Sequence, residues 1–119
     1  MKKILIVDDS RSMLQMIGMT LQQAGYAVSE ACDGLVALES AKVSQFDLVV
    51  TDINMPNMNG IELVQALRAM PNYKFTPLLC LTTESSDDMK ARGKSAGATG
   101  WLVKPFSPEK LLTVIGKVL

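Results

Sequence analysis

Short apolar runs recur along the chain: Ile4-Leu5-Ile6-Val7, Tyr26-Ala27-Val28-Ser29, Leu48-Val49-Val50, Leu78-Leu79-Cys80-Leu81 and Trp101-Leu102-Val103. Between them the period changes. Met13, Leu14, Ile17 and Leu21 fit one face of a helix, as do Leu35, Leu38 and Ala41, then Ile61, Val64 and Leu67, then Leu111, Ile115 and Val118. The alternation predicts five βα units. Helix starts agree with it: Ser107 can cap the last helix with Pro108 at its first position, and Asn59 followed by Glu62 resembles a capping box. Runs that are apolar at every position suit parallel strands covered by helices on both faces. The predicted fold is therefore α/β, a three-layer doubly wound (βα)5 sandwich. The second run, Tyr26-Ala27-Val28-Ser29-Glu30, alternates and carries polar groups, which places it at a sheet edge and predicts the strand order 2-1-3-4-5.

A chain of 119 residues with 48% apolar content is the size of one domain and can bury a core without disulfides. We expect a single domain over residues 1–119, and a monomer. Twelve basic and twelve acidic residues cancel, leaving no long-range field to draw in nucleic acid or an anionic membrane. The basic start Met1-Lys2-Lys3 precedes an apolar stretch that stops at Asp8-Asp9, too short for a signal-peptide core or a membrane span, so a cytoplasmic protein is expected. Cys32 and Cys80 show no metal-ligand spacing and read as reduced, structural residues. The absence of histidine removes histidine-based zinc sites and Ser-His-Asp or Cys-His catalysis. Chemistry must run on carboxylates, hydroxyls and lysine.

In a doubly wound sheet the C-terminal ends of all strands meet at one edge, where ligands bind. The first run ends in Asp8-Asp9, the third in Thr51-Asp52, the fourth in Thr82-Thr83 and the fifth in Lys104-Pro105. Each alone has a bland account as a turn, cap or surface residue. Together they would converge on one site. Clustered carboxylates repel unless protonated or neutralised by a cation, and an all-oxygen donor set favours Mg²⁺. A carboxylate can also attack phosphorus while a cation and a lysine neutralise the developing charge; Asp52, Mg²⁺ and Lys104 would supply those parts.

The motifs Ile6-Val7-Asp8-Asp9-Ser10, Thr51-Asp52-Ile53-Asn54-Met55-Pro56 with Gly60, Leu81-Thr82 and Lys104-Pro105-Phe106 carry a resemblance: over residues 3–119 the chain resembles a response-regulator receiver domain of the CheY-like family. The resemblance implies that Asp52 is the phospho-acceptor of a two-component system. It implies that Asp8, Asp9, Asp52 and the Asn54 backbone carbonyl hold Mg²⁺, that Thr82 is the switch hydroxyl and that Lys104 is its cationic partner across a cis Lys104-Pro105 bond. A histidine kinase, of the chemotaxis CheA type, would be the donor. Stretches such as Thr82-Thr83-Glu84-Ser85-Ser86 and Gly97-Ala98-Thr99-Gly100-Trp101 are similar to chemotaxis receivers, with the flagellar motor switch a candidate target. The fourth helix, fifth strand and fifth helix would form the output face. The fourth helical region, residues 86–96, is the least apolar, contains Gly93 and presents Lys90 and Lys94 on one side.

Trp101 departs from the pattern, since the family usually has Tyr or Phe there as a rotating switch ring. Indole is larger and donates only through N–H, so Trp101 is either a moving switch or a fixed aromatic at the sheet edge. Asn54 and Glu84, each two residues past a site residue, would set the phosphate lifetime by holding the attacking water. We expect a switch and not an enzyme acting on other substrates. The rivals are a small Mg²⁺-dependent phosphohydrolase using Asp52, a flavodoxin-like electron carrier, disfavoured because Asp8-Asp9 would repel a flavin phosphate, and a fragment of a larger DNA-binding regulator.

Overall fold

A computed structural model describes residues 1–83 and 87–119. The elements alternate as expected: β1 (Lys3–Val7), α1 (Arg11–Gln23), β2 (Ala27–Ala31), α2 (Gly34–Val43), β3 (Leu48–Asp52), α3 (Gly60–Arg68), β4 (Leu78–Thr82), α4 (Asp87–Ala96), β5 (Gly100–Val103) and α5 (Pro108–Val118), with a 3-10 turn at Pro71–Tyr73. The strands form one parallel sheet in the order β2-β1-β3-β4-β5.

Alternation along each strand feeds two cores. Leu5, Val7, Val49, Leu78 and Cys80 pack with Ala37, Ala41, Ile61, Val64, Leu67 and Tyr73 on the side of α2 and α3. Ile4, Ile6, Leu48, Val50, Leu79, Leu81 and Leu102 pack with Leu14, Ile17, Leu21, Leu111 and Ile115 on the side of α1 and α5. Each fully buried Leu or Ile contributes about 1.5–3 kcal/mol, which is why the central strands are apolar at every position. The helix starts are capped as the sequence predicts. Asn59 and Glu62 close a reciprocal capping box on α3, and Ser107 accepts the Lys110 N–H on α5.

Two sequence expectations hold only in part: Leu38 and Ala41 of α2 pack on the core and both cysteines are free, but Leu35 and Cys32 lie at the surface. The buried face of α2 is Gly34, Ala37 and Ala41, while Leu35 stands 49% exposed. Here close approach selects small residues: a side chain on Gly34 would put its Cβ 2.6 Å from the Met58 carbonyl oxygen. Cys32 is exposed, whereas Cys80 is buried; the strand ends at Ala31, so Cys32 lies on the turn beyond it. Burial pushes the Cys80 thiol up to about 12, so that cysteine is a small hydrophobe.

Candidate phosphoryl-acceptor and metal site

The strand ends place the acidic groups. Asp8 follows β1 and is 1% exposed, Asp9 is exposed beside it, and Asp52 is the buried last residue of β3. One carboxylate oxygen from each of the three lies within 4.8 Å of the others. The β3 end is held from behind by α3, because Gly60 packs so closely on the Asp52 carbonyl that any side chain there would collide with it. Asp8 Oδ1 accepts the Ser10 N–H at 2.9 Å, and Ser10 in turn caps α1 by accepting the Met13 N–H. One segment thus starts a helix and orients a carboxylate.

Lys104 enters from the opposite side. Its backbone N–H donates to the Thr82 carbonyl at 2.7 Å, and its Nζ donates to Asp8 Oδ2 at 2.9 Å and lies 3.5 Å from Asp52 Oδ1. The Lys104-Pro105 bond is cis. Burial works to lower the ammonium pKa, but the Asp8 hydrogen bond and the charges of Asp52 and Asp8 outweigh it, so Lys104 stays charged. Asp52 moves up, first from burial and then from the Asp8 charge, against the pull of Lys104 and the Ile53 N–H. Its Oδ1 accepts that N–H at 2.9 Å, and the Lys104 ammonium lies nearest this same oxygen.

Three carboxylates facing one ammonium leave an uncompensated double negative charge in a largely buried pocket. The donors are all hard oxygens. A divalent, oxygen-seeking ion such as Mg²⁺ fits both the charge and the donor chemistry.

The remaining predicted residues sit around this pocket. Thr82 is fully buried at the end of β4, and Asn54 is exposed on the loop after β3. Glu84 lies outside the described residues. Trp101 is half-buried on β5 opposite Cys80, with its ring against Gly93 and its Nε1 buried without a hydrogen-bond partner among the described residues. Beside it a groove of about 520 Å³ is lined by Lys90, Trp101, Val103, Phe106 and Lys110. Sequence reasoning missed Asp33 and Asn57, hydrogen-bonded at 3.0 Å next to the site; Asp-Gly after a strand and the Pro56-Asn57 turn pair were the available signals.

The chain matches the family model described as "Response regulator receiver domain" over residues 4–116 and belongs to that family. It is 41% identical over 117 residues to a chemotaxis protein CheY of Pseudomonas aeruginosa, covering 98% of this chain and 94% of that one. Its fold superposes on the chemotaxis response regulator CheY4 of Vibrio cholerae with a TM-score of 0.97 at 55% identity, covering 100% and 99% of the two chains. It also matches the response regulator TrrA of Thermotoga maritima, solved in complex with Mg(2+)-BeF, at 31% identity and a TM-score of 0.89 over the whole of both chains. The chain is thus a receiver domain of two-component signalling, a phosphorylation-activated switch closely similar to chemotaxis regulators. Such domains accept phosphoryl groups from histidine kinases, bind Mg²⁺ at an acidic pocket and act on downstream targets. Among the described residues no helix is long and apolar enough to cross a membrane.

Proposed function

We propose that Asp52 is the phospho-acceptor and that residues 1–119 work as a cytoplasmic, monomeric, single-domain switch driven by a chemotaxis-type histidine kinase. The observation that carries this reading is the Asp8, Asp9 and Asp52 cluster with Lys104 bridging Asp8 and Asp52. Asp8, Asp9, Asp52 and the Asn54 carbonyl would hold Mg²⁺, which when bound neutralises charge on the phosphoryl oxygens.

A carboxylate oxygen of Asp52 attacks phosphorus as the P–N bond of the donor phosphohistidine breaks, and the released electron pair stays on the imidazole nitrogen, which takes up a proton. Burial strengthens this carboxylate as a nucleophile once it is ionised. Lys104, already aimed between two carboxylates, stabilises the charge on the transferring oxygens without reorganising. The Thr82 hydroxyl then senses the phosphoryl group. Because the Thr82 carbonyl accepts the Lys104 N–H, a shift at either one reaches β5 and Trp101. The output surface is α4, β5 and α5, where the lysine-rimmed apolar groove fits a partner carrying acidic and apolar side chains, the flagellar motor switch among the candidates. Return to the resting state needs a water in line with the P–O bond; Asn54 and Glu84 are the side chains assigned to hold it. Catalysis on any other substrate is not part of this reading.

Intact-mass measurement after incubation with Mg²⁺ and acetyl phosphate tests it. One phosphoryl group should add to the parent protein and none to Asp52→Asn. A mass gain that survives this substitution would overturn the assignment.

A further inference from the structure

The loop leaving Asp52 is tied down near the strand by main-chain bonds. The Ile53 N–H donates to the Leu81 carbonyl at 3.2 Å, and the Gly60 N–H donates to the Ile53 carbonyl at 2.9 Å. Its far side is held by a different element. Asn57, the one non-glycine residue with positive φ (69°) among those described, donates from Nδ2 to Asp33 Oδ2 at 3.0 Å. The Gly34 N–H reaches the Met58 carbonyl at 3.3 Å. Asp33 Oδ1 meanwhile accepts the Val36 N–H at 2.9 Å and caps α2. One oxygen of this buried carboxylate therefore completes the helix cap, and the other is left for the loop.

We propose that Asp33 and Asn57 are positioning residues: their hydrogen bond clasps residues 54–58 onto the start of α2 and so presents the Asn54 carbonyl to Mg²⁺ beside Asp52. This rests on the reading that Asp8, Asp9, Asp52 and Asn54 hold the metal. Asn is the side-chain-bearing residue that tolerates the left-handed region best, but without the clasp Asn57 loses the long-range contact that fixes it there. The segment from Asn54 to Met58 would then sample several conformations, and metal binding would bear the entropy of ordering it. Outer contacts of this kind commonly govern metal affinity although they never touch the ion.

The test follows the NMR amide shifts of the full chain during a titration with Mg²⁺ alone, alongside urea unfolding. Asn57→Gly keeps the positive φ at no steric cost and removes the amide. Asp33→Ser keeps a good helix cap and removes the second oxygen. Both should weaken Mg²⁺ roughly tenfold while unfolding cooperatively like the parent, the low end of the range for outer contacts. Asp33→Asn is the rescue: its Oδ1 still caps α2, and Asn57 can turn its amide over to accept from the new Nδ2, so affinity should stay within about twofold of the parent. Parent-like affinity in Asn57→Gly and Asp33→Ser overturns the clasp. So does an Asp33→Asn as weak as Asp33→Ser, since that would make the effect one of charge alone. A parent protein that binds no Mg²⁺ would overturn the metal reading itself, a different and recognisable failure.

Discussion

The two edges of the sheet handle charge in opposite ways. At the C-terminal edge three carboxylates share a pocket with one lysine, and the residual charge is left for a ligand to neutralise. At the N-terminal edge Arg68, the last residue of α3, meets only neutral acceptors: its Nε donates to the Gly97 carbonyl at 2.9 Å, and its Nη1 to the Tyr73 and Thr76 carbonyls at 2.7 Å. Its Nη2 reaches the Thr99 hydroxyl, which also accepts the Leu78 N–H. Nearby, the Tyr73 hydroxyl accepts the Phe46 N–H and points its proton at the Ser44 carbonyl, with the Ala41 carbonyl also in reach. One cation there closes the carbonyl-rich starts of β4 and β5 and the C-terminal ends of α3 and α4, where a positive charge also suits the helix dipoles. The difference separates a site kept electrostatically unfinished from a joint whose donors and acceptors are matched. Stability should reside in the second and reactivity in the first.

The strongest way to break that contrast is Arg68→Met, which keeps most of the apolar stem and strips the donors from the carbonyls they serve. Hydrogen bonds to a charged group carry about 1.5–3 kcal/mol each, and water can take over part of the loss at this edge, so we expect roughly 3 kcal/mol of destabilisation in urea unfolding. Phosphoryl uptake by the folded fraction should match the parent. A variant as stable as the parent, or one that folds but takes up no phosphate, would collapse the distinction between the edges.

Asp52→Asn probes the other edge and should act in the opposite direction on stability. The folded-state pKa of Asp52 is raised above its ordinary value of 3.8 by burial and by Asp8, so ionising it costs folded-state stability as the pH rises through that window. Removing the charge should stabilise the metal-free protein at pH 7 by on the order of 1 kcal/mol, a rise in Tm of roughly 3–6 °C, with Lys104 offsetting the rest of the repulsion. Thermal unfolding in EDTA reads this, and the gain should shrink as the pH is lowered toward 3.8. A destabilised Asp52→Asn would mean that the pocket is balanced without a ligand.

The same contrast explains what the sequence made visible. Strands apolar at every position required helices on both faces, and the polar pattern of β2 required an edge, so the layers and the strand order could be read directly. The acidic site was legible because its side chains differ chemically from the strands they end. Arg68 was not, since all but one of its partners among the described residues are main-chain carbonyls, which no residue type advertises. On α2, Leu38 and Ala41 were placed correctly, but Leu35 was read inward and Gly34 and Ala37 overlooked because leucine spacing outweighed small residues, which the approach of Met58 to Gly34 favours. Asn57 pairs with Asp33 across 24 positions of sequence, a separation over which one chain's pattern carries no register.

Helix α4 spans both regimes, and Gly93 tests how they meet. At the C-terminal end of the helix Ala96 joins the core and Gly97, just beyond, is fastened to Arg68, whereas at Gly93 the helix backbone meets the Trp101 ring, against which a side chain would collide. Gly93→Ala should therefore push the indole outward into the adjacent cavity of about 230 Å³ lined by Lys90, Lys94 and Thr99. Three effects compete in the energy. Alanine gains about 1 kcal/mol of helix propensity over glycine, the displaced ring loses a similar amount of burial, and the unpartnered Nε1 gains access to water. The net change in stability should stay below about 1 kcal/mol, the smallest effect of the three substitutions. Fluorescence is the decisive reading because Trp101 is the sole tryptophan: emission should shift to the red and iodide should quench it more readily. If emission and quenching match the parent while stability rises by the full helix-propensity gain, the ring is not held by Gly93.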